Sequence, residues 1–258
     1  MSSDFTGERL SGVDEEFAVD MARHVAAYRW AMTQAAGKTV LDVGCGEGYG
    51  TMMLAGVAAA VVGLDRAEAV AAASARYRGP NLAYRSTDLG RLPTIEERFE
   101  LVVSFQVIEH VPDPADFLAG LRHCTAVGGR ILVTTPNRLM SVSENPYHLR
   151  EWTAEELLAL ARPVLPTVRM LGVHGSERVL AWEGERGAQV QRILRFDPLG
   201  LRHRLPGFLV RGVFPKLARR VRRRLAASRT LAGIGPDDFR VGDDDLAHAL
   251  DLALVADL

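Results

Sequence analysis

Long apolar runs are missing from this chain. None of its 258 residues falls in an uninterrupted apolar stretch of about 18, so no membrane-spanning helix is expected. Net charge is equally scarce. The 31 Lys and Arg stand against 32 Asp and Glu and leave −1, so no global field draws the chain to nucleic acid or to an anionic membrane. Cysteine is nearly absent. Cys45 and Cys124 lie far apart without metal-ligand spacing, and they lead to the expectation of a reduced, cytoplasmic protein. The opening MSSDFTGERL lacks the apolar centre of a secretory signal. What remains is 48% hydrophobic residues, enough for a sizeable core.

Against that background residues 38–50, KTVLDVGCGEGYG, stand out. A short apolar strand (Val40, Leu41, Val43) runs into a loop with glycine at every second position: Gly44, Gly46, Gly48 and Gly50. Thr51 to Leu54 then open a helix. Glycine removes the Cβ that would block a close ligand, and a helix start offers unpaired N–H groups. A tight turn with no ligand is the plain alternative, but alternating glycines cost chain entropy unless something must approach. The dinucleotide fingerprint G-x-G-x-x-G is excluded. Counted from Gly44 and Gly46, its third glycine is replaced by Tyr49.

Periodicity organises the rest. Phe17, Met21, Val25, Tyr28 and Met32 recur at helical steps and predict a helix from Asp14 to about Ala36, ended by Gly37. After the strand at residues 38–43, further strands are expected at Ala60–Leu64, Asn81–Arg85, Phe99–Phe105, Arg130–Thr134, Leu165–Val173 and Ala249–Val255. Helices are expected at 67–77, after Asp113, at 153–161 with a Thr153/Glu156 capping box, at 176–196 and within 208–228. Alternation of strand and helix from 38 to 134 argues an α/β, doubly wound, Rossmann-like sheet with helices on both faces. One domain over 1–258 is expected: an N-terminal helical cap (1–36), a cofactor-binding core (37–175), a helical insertion (176–245) and a last strand (246–258).

Open α/β sheets bind ligands at the carboxyl ends of strands, where strand order reverses. Asp65 closes the second strand and suits paired ribose hydroxyls. Asp88 follows the third, in Ser86-Thr87-Asp88-Leu89, where an Asp capping its own turn is the alternative. The fourth strand ends in Phe105-Gln106-Val107-Ile108-Glu109-His110, an odd ending for a buried strand unless those groups face a pocket. His110 is a candidate general base, with Glu109 orienting its ring or sharing the proton; substrate positioning and simple packing are its other open roles. A third stretch, Thr135-Pro136-Asn137-Arg138 with Asn145 to Trp152, follows the fifth strand. Its polar and aromatic mixture suits sugars or aromatic acceptors. His148 within it is a second base, a hydrogen-bond donor or a loop histidine. Residues 216–229, KLARRVRRRLAASR, carry seven basic residues and no acid. They suit an anionic ligand, a lipid headgroup or RNA, or form a solvated face; without interleaved aromatics they do not make a committed nucleic-acid binder.

The run Asp42-x-Gly44-x-Gly46-x-Gly48 resembles motif I of the class I S-adenosylmethionine (SAM) methyltransferases. The resemblance implies SAM as cofactor, S-adenosylhomocysteine (SAH) as product, and a seven-stranded, mostly parallel sheet with its last strand antiparallel. It implies a cofactor set of Asp42, Gly44, Cys45, Gly46, Gly48, Tyr49, Asp65, Arg66, Asp88, Leu89, Phe105 and Gln106. In that set Asp42 lies under the methionine end, Asp65 takes the ribose hydroxyls, and Asp88 takes the adenine amino group. Gln106 to His110 resembles the E-x-x-E-H segment of quinone-biosynthesis and small-molecule O-methyltransferases, some of which hold a divalent metal there. Gln106 replaces the first Glu, and no metal is assigned. Thr6-Gly7-Glu8-Arg9, FQVIEH, TPNR and N-P-x-H-x-R-E occur in this order and resemble bacterial methyltransferases of glycan and polymethylated-polysaccharide synthesis. The expected activity is O-methylation of a small-molecule or glycan acceptor through His110, Glu109 and His148. Methylation in quinone or secondary metabolism, RNA methylation and a non-catalytic SAM-binding module are the rivals.

Overall fold

A computed structural model describes residues 18–141, 147–194 and 233–258. Its strands are β1 (Thr39–Val43), β2 (Ala60–Asp65), β3 (Leu82–Ser86), β4 (Phe99–Phe105), β5 (Thr125–Pro136), β6 (Thr167–Gly175), β7 (Phe239–Gly242) and β8 (Asp251–Asp257). Its helices are α1 (Ala18–Ala35), α2 (Tyr49–Ala55), α3 (Ala67–Arg76), α4 (Pro114–Cys124), α5 (Ala154–Ala161) and α6 (Glu177–Leu194). The strands form one sheet in the order β3-β2-β1-β4-β5-β8-β6-β7. β1 to β5 pair in parallel, and β8 runs antiparallel between β5 and β6.

The central strands are mostly apolar because both faces are covered. Leu41, Val43, Val102, Ile131 and Val133 join the layer under α4 and α5, with Leu252 and Leu254 of β8. Val40, Leu101, Val103 and Leu132 meet Tyr28 and the alanines of α1 on the other face. A smaller cluster joins the first half of α1 to β6, α6 and β7 through Val19, Ala22, Val173 and Trp182.

Helix ends follow local chemistry. Asp113 caps α4 by accepting from Ala115 N (3.1 Å) and Asp116 N (3.0 Å), ahead of Pro114. Thr153 and Glu156 form the expected capping box of α5. Gly37, at φ +69°, turns the chain after α1.

The expected doubly wound sheet is present, with three local differences. Phe239–Gly242, inside the stretch read as a helical insertion, pairs antiparallel with β6 as an eighth strand at the sheet edge. Four residues are too few for a periodic signal. β5 begins at Thr125, not Arg130, because residues 126–129 are absorbed as a register break opposite Phe99 and Leu101, with Gly128 at φ +76°. β6 starts and ends two residues later than expected. The expected helix within 208–228, the arginine-rich 216–229, Thr6–Arg9, Asn145 and Pro146 lie outside the described residues.

Candidate active site

Strand order reverses between β1 and β4, and the glycine loop sits at that point. Gly44 N and Cys45 N both donate to Leu64 O, at 2.8 and 3.0 Å, so the loop folds across the end of β2. Gly44, Gly46 and Gly48 take left-handed φ values of +81°, +54° and +83°. The glycines serve different ends. A Cβ on Gly44 would lie 2.3 Å from Val107 Cγ2, and one on Gly50 would lie 2.0 Å from the Tyr28 ring. Those two make room for the protein. A Cβ on Gly46 would meet nothing within 4 Å; that position faces open space, where a ligand can approach the backbone.

Three acids mark the ends of β1, β2 and β3. Asp42 is completely buried. It accepts from Thr51 Oγ1 at 2.7 Å and from Tyr28 OH at 3.2 Å, bracing α2 and α1. Burial pushes its carboxyl up to about 7, against those two hydrogen bonds. Asp65 accepts from Gly46 N (2.8 Å) and from Arg66 N (2.7 Å), which locks the loop to the strand end. Asp88 is exposed and accepts from Gly90 N at 3.0 Å; it caps its own turn, which opens at Leu89. Cys45 is buried, and burial raises its thiol well above the usual range, so it is not a nucleophile.

Tyr49 opens α2 and its hydroxyl meets His24 Nδ1 of α1. The His24 ring packs edge-on to Tyr28, Tyr49 and Phe105 at centroid distances of 5.2, 5.8 and 6.3 Å. Burial lowers its pKa to about 4, so it is neutral at pH 7. His24 was not singled out in the sequence, because an amphipathic pattern does not say which polar residue lies at its boundary.

β4 ends in an abrupt change of direction. Gln106 takes φ +59°, a left-handed value rare outside glycine, while its N–H still donates to Thr134 O at 2.9 Å. The following turn, Ile108–His110, brings Glu109 inside, where 1% of it is exposed. Glu109 Oε2 accepts from Thr135 Oγ1 at 3.0 Å, and Oε1 has no hydrogen-bond partner. Burial pushes the carboxyl up to about 7, against its own backbone amide, the nearby His148 and the Thr135 bond.

His110 Nδ1 lies 3.1 Å from Tyr147 O, and His148 Nδ1 lies 2.5 Å from Glu151 Oε1. The two rings pack edge-on at 4.9 Å. Glu109, His110 and His148 each offer a ligand atom, all within 4.8 Å of one another. The sequence reading assigned no metal because Gln106 lacks a carboxylate. Folding supplies a third donor from elsewhere, and one carboxylate with two imidazoles fits a divalent cation of borderline hardness. Carbonyl and carboxylate partners on both Nδ1 atoms are the orientation such a site uses.

The third stretch divides. His148 and Tyr147 join the cluster, but Asn137 and Trp152 are 1% exposed. Asn137 donates to Leu246 O (2.9 Å) and Ala249 O (2.8 Å) and accepts from Leu139 N (3.1 Å). It clamps β5 to the turn before β8, and Trp152 is core, so neither grips an acceptor.

A family profile described as "Methyltransferase domain" matches residues 41–133. A relative named "Probable S-adenosylmethionine-dependent methyltransferase", from Mycolicibacterium smegmatis, is 38% identical over 205 residues, 75% of this chain and 79% of its own length. The chain belongs to the SAM-dependent methyltransferases. SAM is therefore the cofactor of this methyltransferase, and the space at Gly46 beside Asp65 fits an adenosyl ligand. A "Ubiquinone biosynthesis O-methyltransferase" of Cereibacter sphaeroides is 34% identical over 133 residues, 50% of this chain and 52% of that one. A solved SAM-dependent methyltransferase from Mesorhizobium loti shares the fold, with TM-score 0.54 and 16% identity over 93% of this chain and all of that one. No helix among the described residues is long and apolar enough to cross a membrane.

Proposed function

We propose that this methyltransferase transfers its methyl group to a hydroxyl oxygen of a small acceptor, a sugar or glycan first. The observation that carries this reading is the Glu109–His110–His148 cluster at the end of β4. One carboxylate and two imidazoles, their ligand atoms within 4.8 Å of one another, stand where strand order has just reversed.

SAM, when bound, supplies the electrophilic methyl on a sulfonium; the chain supplies position and proton removal. Gly44, Cys45, Gly46, Gly48 and Tyr49 form the cofactor cradle. Asp42 holds that cradle to α1 through Tyr28. Asp65 uses two lone-pair directions on Gly46 and Arg66 and keeps the others for ribose hydroxyls. Asp88 and the backbone of Leu89 take the adenine, and Phe105 with Gln106 forms the wall toward the acceptor. With His110 Nδ1–H donating to the Tyr147 carbonyl, the basic lone pair sits on Nε2. Nε2 takes the acceptor proton, and Glu109, near neutrality, stabilises the imidazolium.

A second reading, favoured by the ubiquinone-biosynthesis relative, is a catechol-type acceptor with a cation on Glu109, His110 and His148. Three measurements test the two. SAH should bind by calorimetry, and Asp65→Ala should weaken it at least tenfold; wild-type binding matched by the variant removes Asp65 from the cofactor set. Methyl transfer from SAM should be found with methyl α-D-glucopyranoside. Transfer only to 3,4-dihydroxybenzoate, abolished by a chelator and restored by a divalent cation, would hand the site to the second reading.

A further inference from the structure

Asp251 has no part in the site described so far, and its surroundings are unusual. It opens β8 with Pro136 of β5 and Val173 of β6 as ladder partners, so it stands at the carboxyl edge of the sheet. Alternation along β8 sends Leu252, Leu254 and Ala256 into the α4–α5 layer and leaves Asp251 on the face under α1. Only 3% of it is exposed. Its Oδ1 has no hydrogen-bond partner. Oδ2 meets Arg23 Nε at 3.4 Å, a charge contact, while the hydrogen bond of that guanidinium runs from Nη2 to Asp20. The Gln106 side chain, on a backbone in the left-handed conformation, comes within hydrogen-bonding influence of the Asp251 carboxylate and opposes the rise in its pKa, while Oδ1 itself keeps no partner.

A buried carboxylate with a bare oxygen is a costly choice where an amide or a leucine would extend the same strand. Such a group persists where a ligand completes it. The second bare carboxylate oxygen, Oε1 of Glu109, belongs to the same edge of the sheet, and the two acids feel one another's charge. An acceptor with several hydroxyls has the donors that both oxygens lack.

We propose that Asp251 is an acceptor-binding residue, whose Oδ1 accepts an O–H of a polyhydroxylated acceptor while Arg23 and Gln106 hold the carboxylate in place. The proposal rests on the reading above, in which the acceptor lies over the ends of β4 and β5. The rival is a structural carboxylate that only neutralises Arg23.

The full chain and its Asp251→Asn variant separate these. With methyl α-D-glucopyranoside as probe, the variant should raise the acceptor KM at least tenfold and change kcat less. SAH affinity should stay within about twofold, and the melting temperature should hold or rise. An unchanged KM overturns the proposal, as does a tenfold loss of SAH affinity, which would move Asp251 to the cofactor. So does a fall in melting temperature that Arg23→Met restores, the mark of a structural pair. A wild-type chain that binds SAH but methylates no hydroxyl probe defeats the O-methylation reading instead. The stability arm then still decides whether Asp251 serves only Arg23.

Discussion

The two halves of the sheet edge are finished differently. From β3 to β1, each strand-end acid is satisfied within the chain: Asp88 by Gly90, Asp65 by Gly46 and Arg66, Asp42 by Thr51 and Tyr28. Beyond β4, four buried side-chain atoms among the described residues are left without hydrogen-bond partners, Glu109 Oε1, Asp251 Oδ1, His174 Nε2 and Trp182 Nε1, against one, His24 Nε2 of α1, beside Tyr49 on the cofactor side. The acids of the first half are held before any ligand arrives, which suits a cofactor of constant shape. The second half is incomplete as the chain alone builds it.

The contrast is tested most severely at His110. Its ring belongs to the incomplete half, so His110→Ala should lower kcat by about 10²- to 10⁴-fold and leave SAH affinity nearly unchanged. Calorimetry beside initial rates reads both quantities. Equal loss of both would mean that the ring supports the cofactor half and that the division is drawn in the wrong place.

Within the finished half, the glycines should separate by purpose. Gly50→Ala drives a methyl group to 2.0 Å from the Tyr28 ring and should cost about 2–4 kcal/mol, or roughly 5–12 °C in melting temperature. Gly46→Ala meets nothing in the protein; its left-handed φ costs about 1 kcal/mol. SAH affinity should nevertheless fall at least tenfold, because the new methyl occupies the approach to the backbone. A stable Gly46→Ala chain with intact SAH affinity would move the ligand elsewhere.

Sequence carried the first half well and the second poorly, for a physical reason. A glycine loop, a strand-end Asp and a continuous apolar strand are local patterns whose consequences are also local. Asp42, Asp65 and the β1–α2 turn could be placed from them. The second half is made by contacts between distant segments. Tyr147 and His148 reach Glu109 and His110 across a loop, Arg23 of α1 meets Asp251 of β8, and Asn137 holds the turn before β8. No spacing announces such pairs. Trp152 shows the opposite failure: an aromatic among polar residues reads as an acceptor platform, yet the fold buries it.

The buried acids give the smallest effect and bear on both halves at once. Burial raises Asp42 to about 7, Glu109 to about 7 and Asp251 to about 6. An acid whose folded pKa exceeds its unfolded value binds its proton more tightly when folded. Its stabilising share is complete below the unfolded value near 3.8 for Asp42 and disappears as pH rises through about 7. His24, lowered by burial from 6.5 to about 4, acts in the opposite direction, but only below its unfolded value. Above pH 6.5 the acids act unopposed by it, so the melting temperature should fall from pH 6.5 to pH 8. Asp42→Asn keeps an oxygen for Thr51 and removes the titrating group. Between pH 5.5 and 8 it should lessen the loss of stability by about 2 kcal/mol. Asp251→Asn should lessen it by less, because its pKa is raised less far above the start of that interval and because Arg23 opposes the shift. If Asp251→Asn flattened the curve more than Asp42→Asn, the greater electrostatic strain would lie in the half that a ligand completes, and the contrast between the halves would be sharper than the unliganded geometry alone requires.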